Sequence, residues 1–166
     1  MKLEPLMTIH TAFKDPVPIG RGPFGVRIVW DISGGSFEGE RLRGTILPSG
    51  GAWILSDPEG IGRLDVRLVL ETHDGAYIYV QYYGVVAIND QTWKNLSERR
   101  ETEYGDSYFM AQLHFETGSK RYQWLNLVIG VAEGRLLHRA IDYRVYGVMN
   151  DQQQHILGEK NSQMAL

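Results

Sequence analysis

The sequence predicts an all-β protein, a single antiparallel β-barrel that is lipocalin-like in shape, with one short helix. Short alternating segments rich in Val, Ile, Tyr, Phe and Trp recur between clusters of Gly, Pro, Asp and Ser. Many of these segments carry sizeable residues on both faces, as when one face lines a lumen and the other packs outward on loops or a partner. Closure also removes the exposed edges of an open sheet. A chain of this length fits one barrel domain over residues 1–150, followed by a flexible tail over 151–166.

Strands are expected at 6–13, 25–33, 37–47, 52–56, 60–72, 76–88, 106–116, 124–133 and 140–148. The breaks are turn-forming runs: Ser33-Gly34-Gly35, Pro48-Ser49-Gly50-Gly51, Asp57-Pro58-Glu59-Gly60, Asp74-Gly75 and Glu133-Gly134. The one helix is expected over 90–103, capped by Asp90, with Trp93 and Leu96 facing the sheet and its charges solvated. The Gln/Asn-rich segment after Asn150 lacks a pattern and reads as a frayed tail or an oligomer contact.

Composition narrows the function classes. A hydrophobic fraction of 43%, a charged fraction of 22% and a net charge of −3 are ordinary for a globular protein and offer no basic field for nucleic acid. The absence of cysteine excludes disulfides, thiolate nucleophiles and Cys-based metal sites. No apolar run reaches the length of about 18 residues that a transmembrane helix needs. The first residues, with Glu4 and Pro5, contain no signal-like apolar core, so a cytoplasmic protein without membrane contact is expected.

The familiar catalytic motifs are missing. The five histidines are scattered, and none has a partner at HxH or HxxxH spacing, so no metal is expected. The glycine-rich runs Gly34–Gly39 and Ser49–Trp53 lack the strand–loop–helix context and the Lys-Ser or Lys-Thr of a phosphate loop, and they do not match a nucleophile elbow. What remains is charged and aromatic residues at strand spacing. Asp65, Arg67, Val69 and Glu71 share one face of their strand, opposite Leu64, Val66, Leu68 and Leu70. Arg41, Arg43 and Thr45 share another face, as do Tyr77, Tyr79, Gln81 and Tyr83, and Trp124 with Asn126. Asp65 and Arg67 read either as a surface pair contributing about 0–1 kcal/mol or as a desolvated pair in the barrel lumen, poised for proton transfer.

The run from Ile32 to Trp53, ISGGSFEGERLRGTILPSGGAW, resembles the signature of the DUF3237 family, also called UPF0311. The resemblance continues through Leu64–Arg67, Thr72–Val80, Phe115–Gly118 and Trp124–Asn126. It implies a small antiparallel barrel. For some members it implies ring closure in the biosynthesis of aromatic natural products, by addition of a hydroxyl across an alkene. One departure is Ala52, where the family pattern usually places an Asp before the Trp, so that acid's role would be either lost here or taken by another carboxylate such as Asp65 or Glu38.

These observations lead to an expected cofactor-independent lyase or cyclase acting on a hydrophobic aromatic small molecule. Asp65 would transfer the proton, while Arg67 or Arg43 would hold a phenolate or enolate oxygen. Glu38, Trp53, Tyr79, Phe115, Trp124 and Asn126 would bind substrate, with Asn126 orienting a carbonyl or hydroxyl. The alternatives are a non-catalytic small-molecule carrier and a scaffold with a filled barrel. Exposed aromatics make a homo-oligomer a further expectation.

Overall fold

In the computed structural model, which describes residues 1–150, eight antiparallel strands close into a barrel. In chain order the strands are β1 (Lys2–Phe13), β2 (Val17–Gly22), β3 (Gly25–Glu38), β4 (Arg43–Ser56), β5 (Ile61–Thr72), β6 (Tyr77–Ala87), β7 (Tyr108–Glu116), β8 (Ile129–Leu137) and β9 (Ala140–Met149). The sheet order β1-β9-β8-β7-β6-β5-β4-β3 is closed by pairing of β1 with β3, and β2 lies outside the ring as a flap on the first half of β3. The lipocalin-like barrel expectation therefore holds in outline. The C-terminal segment 151–166, read as a tail, lies outside the described residues.

Three of the expected turns are not turns. Gly34-Gly35 sits inside β3, and Ser49-Gly50 inside β4, at register shifts between Asp31 and Gly35 and between Ile46 and Gly50. These β-bulges bend the wall where the barrel must curve. Gly50 adopts φ 92°, and a Cβ there would lie 2.1 Å from the Arg67 carbonyl oxygen. Glycine chemistry at these sites thus serves curvature inside long strands. The real β3–β4 turn falls at Gly39–Leu42, within the segment read as one strand over 37–47; likewise β8 runs through Glu133-Gly134 to Leu137.

The interior is packed rather than open. Leu64, Val66, Leu68 and Leu70 of β5 face inward with Ile78, Val80 and Tyr82 of β6, and all are 4% exposed or less. Tyr143 meets Tyr82 and Phe109 edge-to-face, with ring centroids 5.4 and 5.2 Å apart. The connection between β7 and β8 carries a short 3-10 helix, Gln123–Leu127, and buries Tyr122 and Leu125 completely or nearly so.

The α-helix is shorter than expected: α1 spans Asp90–Ser97 and is capped by Asn89, whose side chain accepts from the Thr92 backbone N–H at 2.8 Å. That start turns Thr92 inward, and Trp93, expected to face the sheet, is 60% exposed. Arg99, at φ 58°, lies just past its end.

Candidate functional site on the outer barrel wall

The strand period that turns Leu64 and Val66 into the core turns Asp65 and Arg67 outward. This corrects the lumen placement: the pair lies on the outer wall, because the inward positions of β5 are all apolar or glycine apart from the terminal Thr72. Register brings the neighbours together. Asp65 is level with Trp53 of β4 on one side and Tyr83 of β6 on the other, while Arg67 is level with Gly51 and Gln81.

Arg67 Nη1 stands 3.3 Å from Asp65 Oδ1, with the two side chains 38% and 34% exposed. The guanidinium also lies 5.3 Å from the Trp53 ring centroid, within cation–π range. Asp65 Oδ1 is sealed from solvent and makes no hydrogen bond of acceptable geometry, so its contact with Arg67 is electrostatic and not a directed bond. The Gln81 side-chain amide donates to the Tyr83 hydroxyl at 2.9 Å. An open groove of about 470 Å³ begins at Tyr83 and continues between Arg63, Val85, Tyr108, Met110 and Gln112. The result is a carboxylate, a guanidinium, an indole and a phenol on one surface, bordered by an apolar groove.

The other predicted site residues are dispersed. Tyr79 shares the outward face of β6 and is level with Val69 and Glu116. Glu38 and Arg43 are exposed cross-strand partners beside the β3–β4 turn. Phe115 faces inward and is 6% exposed, so it belongs to the core and not to a binding surface. Asn126 fastens the β7–β8 connection: its carbonyl accepts from the Thr117 N–H at 2.8 Å and its amide donates to the Thr117 carbonyl at 3.0 Å. Both polar ends of its side chain are thereby engaged in structure. Trp124 lies under the Arg41 guanidinium, 3.9 Å from the ring centroid. Partial burial lowers the Arg41 pKa, with Glu40 opposing.

Sequence reasoning placed Gln81 and Tyr83 on the correct face but did not select them; their signal was the shared parity with Tyr79. It missed a second cluster entirely. The Asp142 carboxylate receives two bonds from Arg135, at 2.8 and 2.6 Å, and lies 2.6 Å from His10 Nδ1. The hydrogen bond to Asp142 raises the Arg135 pKa further. His10 and Asp142 are 132 positions apart and meet only through β1–β9 register. Among the described residues no group of three or more His, Asp or Glu side chains is arranged to hold a metal.

Fold and site together define a closed antiparallel barrel with a filled interior, whose candidate site lies on its outer wall. The chain belongs to the DUF3237 family, described as a protein of unknown function, whose model matches residues 1–148. A UPF0311 protein of Rhodopseudomonas palustris (strain ATCC BAA-98 / CGA009) is 31% identical over 120 residues, covering 72% of this chain and 78% of the relative. A beta-barrel like protein from Acinetobacter baumannii AYE superposes with a TM-score of 0.78 at 34% identity, covering 89% of this chain and 96% of that one. A protein from Penicillium herquei, described as an enzyme, shares the fold with a TM-score of 0.66 at 20% identity, covering 89% and 94% of the two chains. No helix among the described residues is long and apolar enough to cross a membrane.

Proposed function

We propose that the protein is a cofactor-independent lyase or cyclase that closes an oxygen heterocycle on an aromatic small molecule at the outer wall around Asp65. The observation that carries this reading is the Asp65 carboxylate, set between Trp53 and Tyr83 beside Arg67, with its side chain about a third exposed on the wall. A carboxylate exposed on the wall in this setting can accept a proton from a substrate hydroxyl. In the proposed step the hydroxyl oxygen forms a bond to the β-carbon of a conjugated alkene as its proton passes to Asp65. The π electrons shift toward the carbonyl oxygen, held by Arg67, and the proton then returns to the α-carbon. Atoms and charge balance with no co-reactant. Trp53 and Tyr83 supply the flat surfaces for an aromatic ring.

The fold neighbour described as an enzyme supports catalysis as something this barrel can carry. The filled interior argues against a carrier that holds its ligand in the lumen. The outward Arg, Asp and Glu positions reverse the pattern of a lipid-facing barrel, in keeping with a partner that is a small molecule and not a membrane. The test is incubation of purified protein with a panel of alkenyl phenols and hydroxy-enones, read by chiral chromatography with mass detection. An equal-mass product of one hand that disappears with Asp65→Asn, while ligand binding persists, is the expected result. Equal loss of binding and turnover in that variant, or no conversion of any panel member, would overturn it.

A further inference from the structure

We propose that the wall over β5–β8 is the contact face for a second copy of this chain, and that the second copy roofs the Asp65 site. A barrel wall is convex, and among the described residues no element screens Asp65 and Arg67 from above; both side chains remain about a third exposed. Beside them lies a patch of large side chains, with the polar Gln112 and His114 of β7 between Tyr83 and Ile129. Tyr83 is 51% exposed, Tyr108 60%, Met110 40% and Ile129 48%, and Tyr79 adjoins them. Exposed aromatic and methionine side chains at this density mark an interaction surface.

Charge selects the occupant. Arg63 and Glu116 are exposed, and among the described residues neither has an ion-pair or hydrogen-bond partner from its side chain. Arg63 is level with Val85 and Met110, whereas Glu116 is level with Tyr79 and Val69, three outward rows further along the sheet. They mark opposite corners of the patch, with Gln81 and Tyr83 of β6 midway between them. A two-fold axis lying in the interface, crossing β6 there and perpendicular to the Arg63–Glu116 diagonal, sets Arg63 of each copy against Glu116 of the other. The surface is therefore complementary to itself, which is the requirement for a symmetric dimer. The groove beginning at Tyr83 lies inside this face and would be covered in the same contact.

Only the roof over Asp65 rests on the function proposed above; the association does not. Sedimentation velocity on the full chain over a dilution series tests it. The wild type is expected to sediment as a dimer or a higher even-numbered assembly. Arg63→Glu and Glu116→Arg are each expected to shift it toward monomer with an unchanged circular dichroism spectrum, and the double variant is expected to restore association because the two charges exchange places. Met110→Glu provides a disrupting variant independent of the ion pairs. A wild type that stays monomeric overturns the proposal, as does an assembly indifferent to Met110→Glu and both charge reversals, or a folded double variant that fails to reassociate. A dimer without turnover overturns the catalytic reading alone, and a monomer that turns over substrate overturns the dimer alone.

Discussion

At the scale of single residues, two carboxylates stand in opposite surroundings. Asp65 keeps an oxygen without a bond, whereas Asp74 is saturated. Asp74 Oδ1 accepts from the Thr72 hydroxyl at 2.6 Å and the Tyr122 hydroxyl at 2.8 Å, and Oδ2 accepts from Arg121 at 2.9 Å. Through these bonds the β5–β6 turn holds the segment that leads into the 3-10 helix. The Thr72 bond, followed by that of Tyr122 and the charge of Arg121, lowers the Asp74 pKa from 3.8 to about 2. A depressed carboxylate pKa stabilises the fold at pH above its unfolded value, and that contribution is lost as pH falls through the folded value. Asp74→Asn should therefore lower the melting temperature at neutral pH and flatten its fall between about pH 4 and pH 2. Thermal melts across that range check this; parallel curves for the two proteins would contradict it.

Among the elements, β4 shows how one residue type serves different ends. Gly50 is the point where β4 shifts register against β5, and its φ of 92° lies where a Cβ is disfavoured. Gly50→Ala should destabilise the fold by at least about 1–3 kcal/mol, from backbone strain alone. The clash at 2.1 Å with the Arg67 carbonyl adds to this. Because the displaced strand carries Arg67, the same substitution should weaken any ligand bound at Asp65 and Arg67. Chemical denaturation together with ligand titration measures both effects, and full native stability in the variant would show the bulge to be dispensable. Gly60, also at positive φ, would place a Cβ in open space, so Gly60→Ala is the matched control for conformation without the clash.

For the whole molecule, the filled barrel has a consequence at high pH. Tyr82 and Tyr143 are buried at its centre, and burial raises both phenol pKa values above the ordinary 10.0. A raised phenol pKa leaves stability intact below the unfolded value and removes it as pH climbs from there toward the folded value. Ultraviolet titration should therefore show Tyr82 and Tyr143 ionising only together with unfolding, after the exposed members of the nine tyrosines. Smooth ionisation of all nine in a native protein would contradict the packed interior. Alternation by itself determined the strand-rich class and which positions of β5 and β6 share a face, since parity is local to each strand. The family signature was also legible, because it resides in contiguous runs such as Ile32–Trp53. Which parity faces inward was decided by closure: in a barrel of eight strands the interior has room only for the apolar set, so Asp65 and Arg67 went to the outside while Phe115 went to the core. Register likewise turned apparent glycine turns into bulges and set His10 beside Asp142, since pairing between distant strands is chosen by the packing of the whole sheet and leaves no mark in either segment alone.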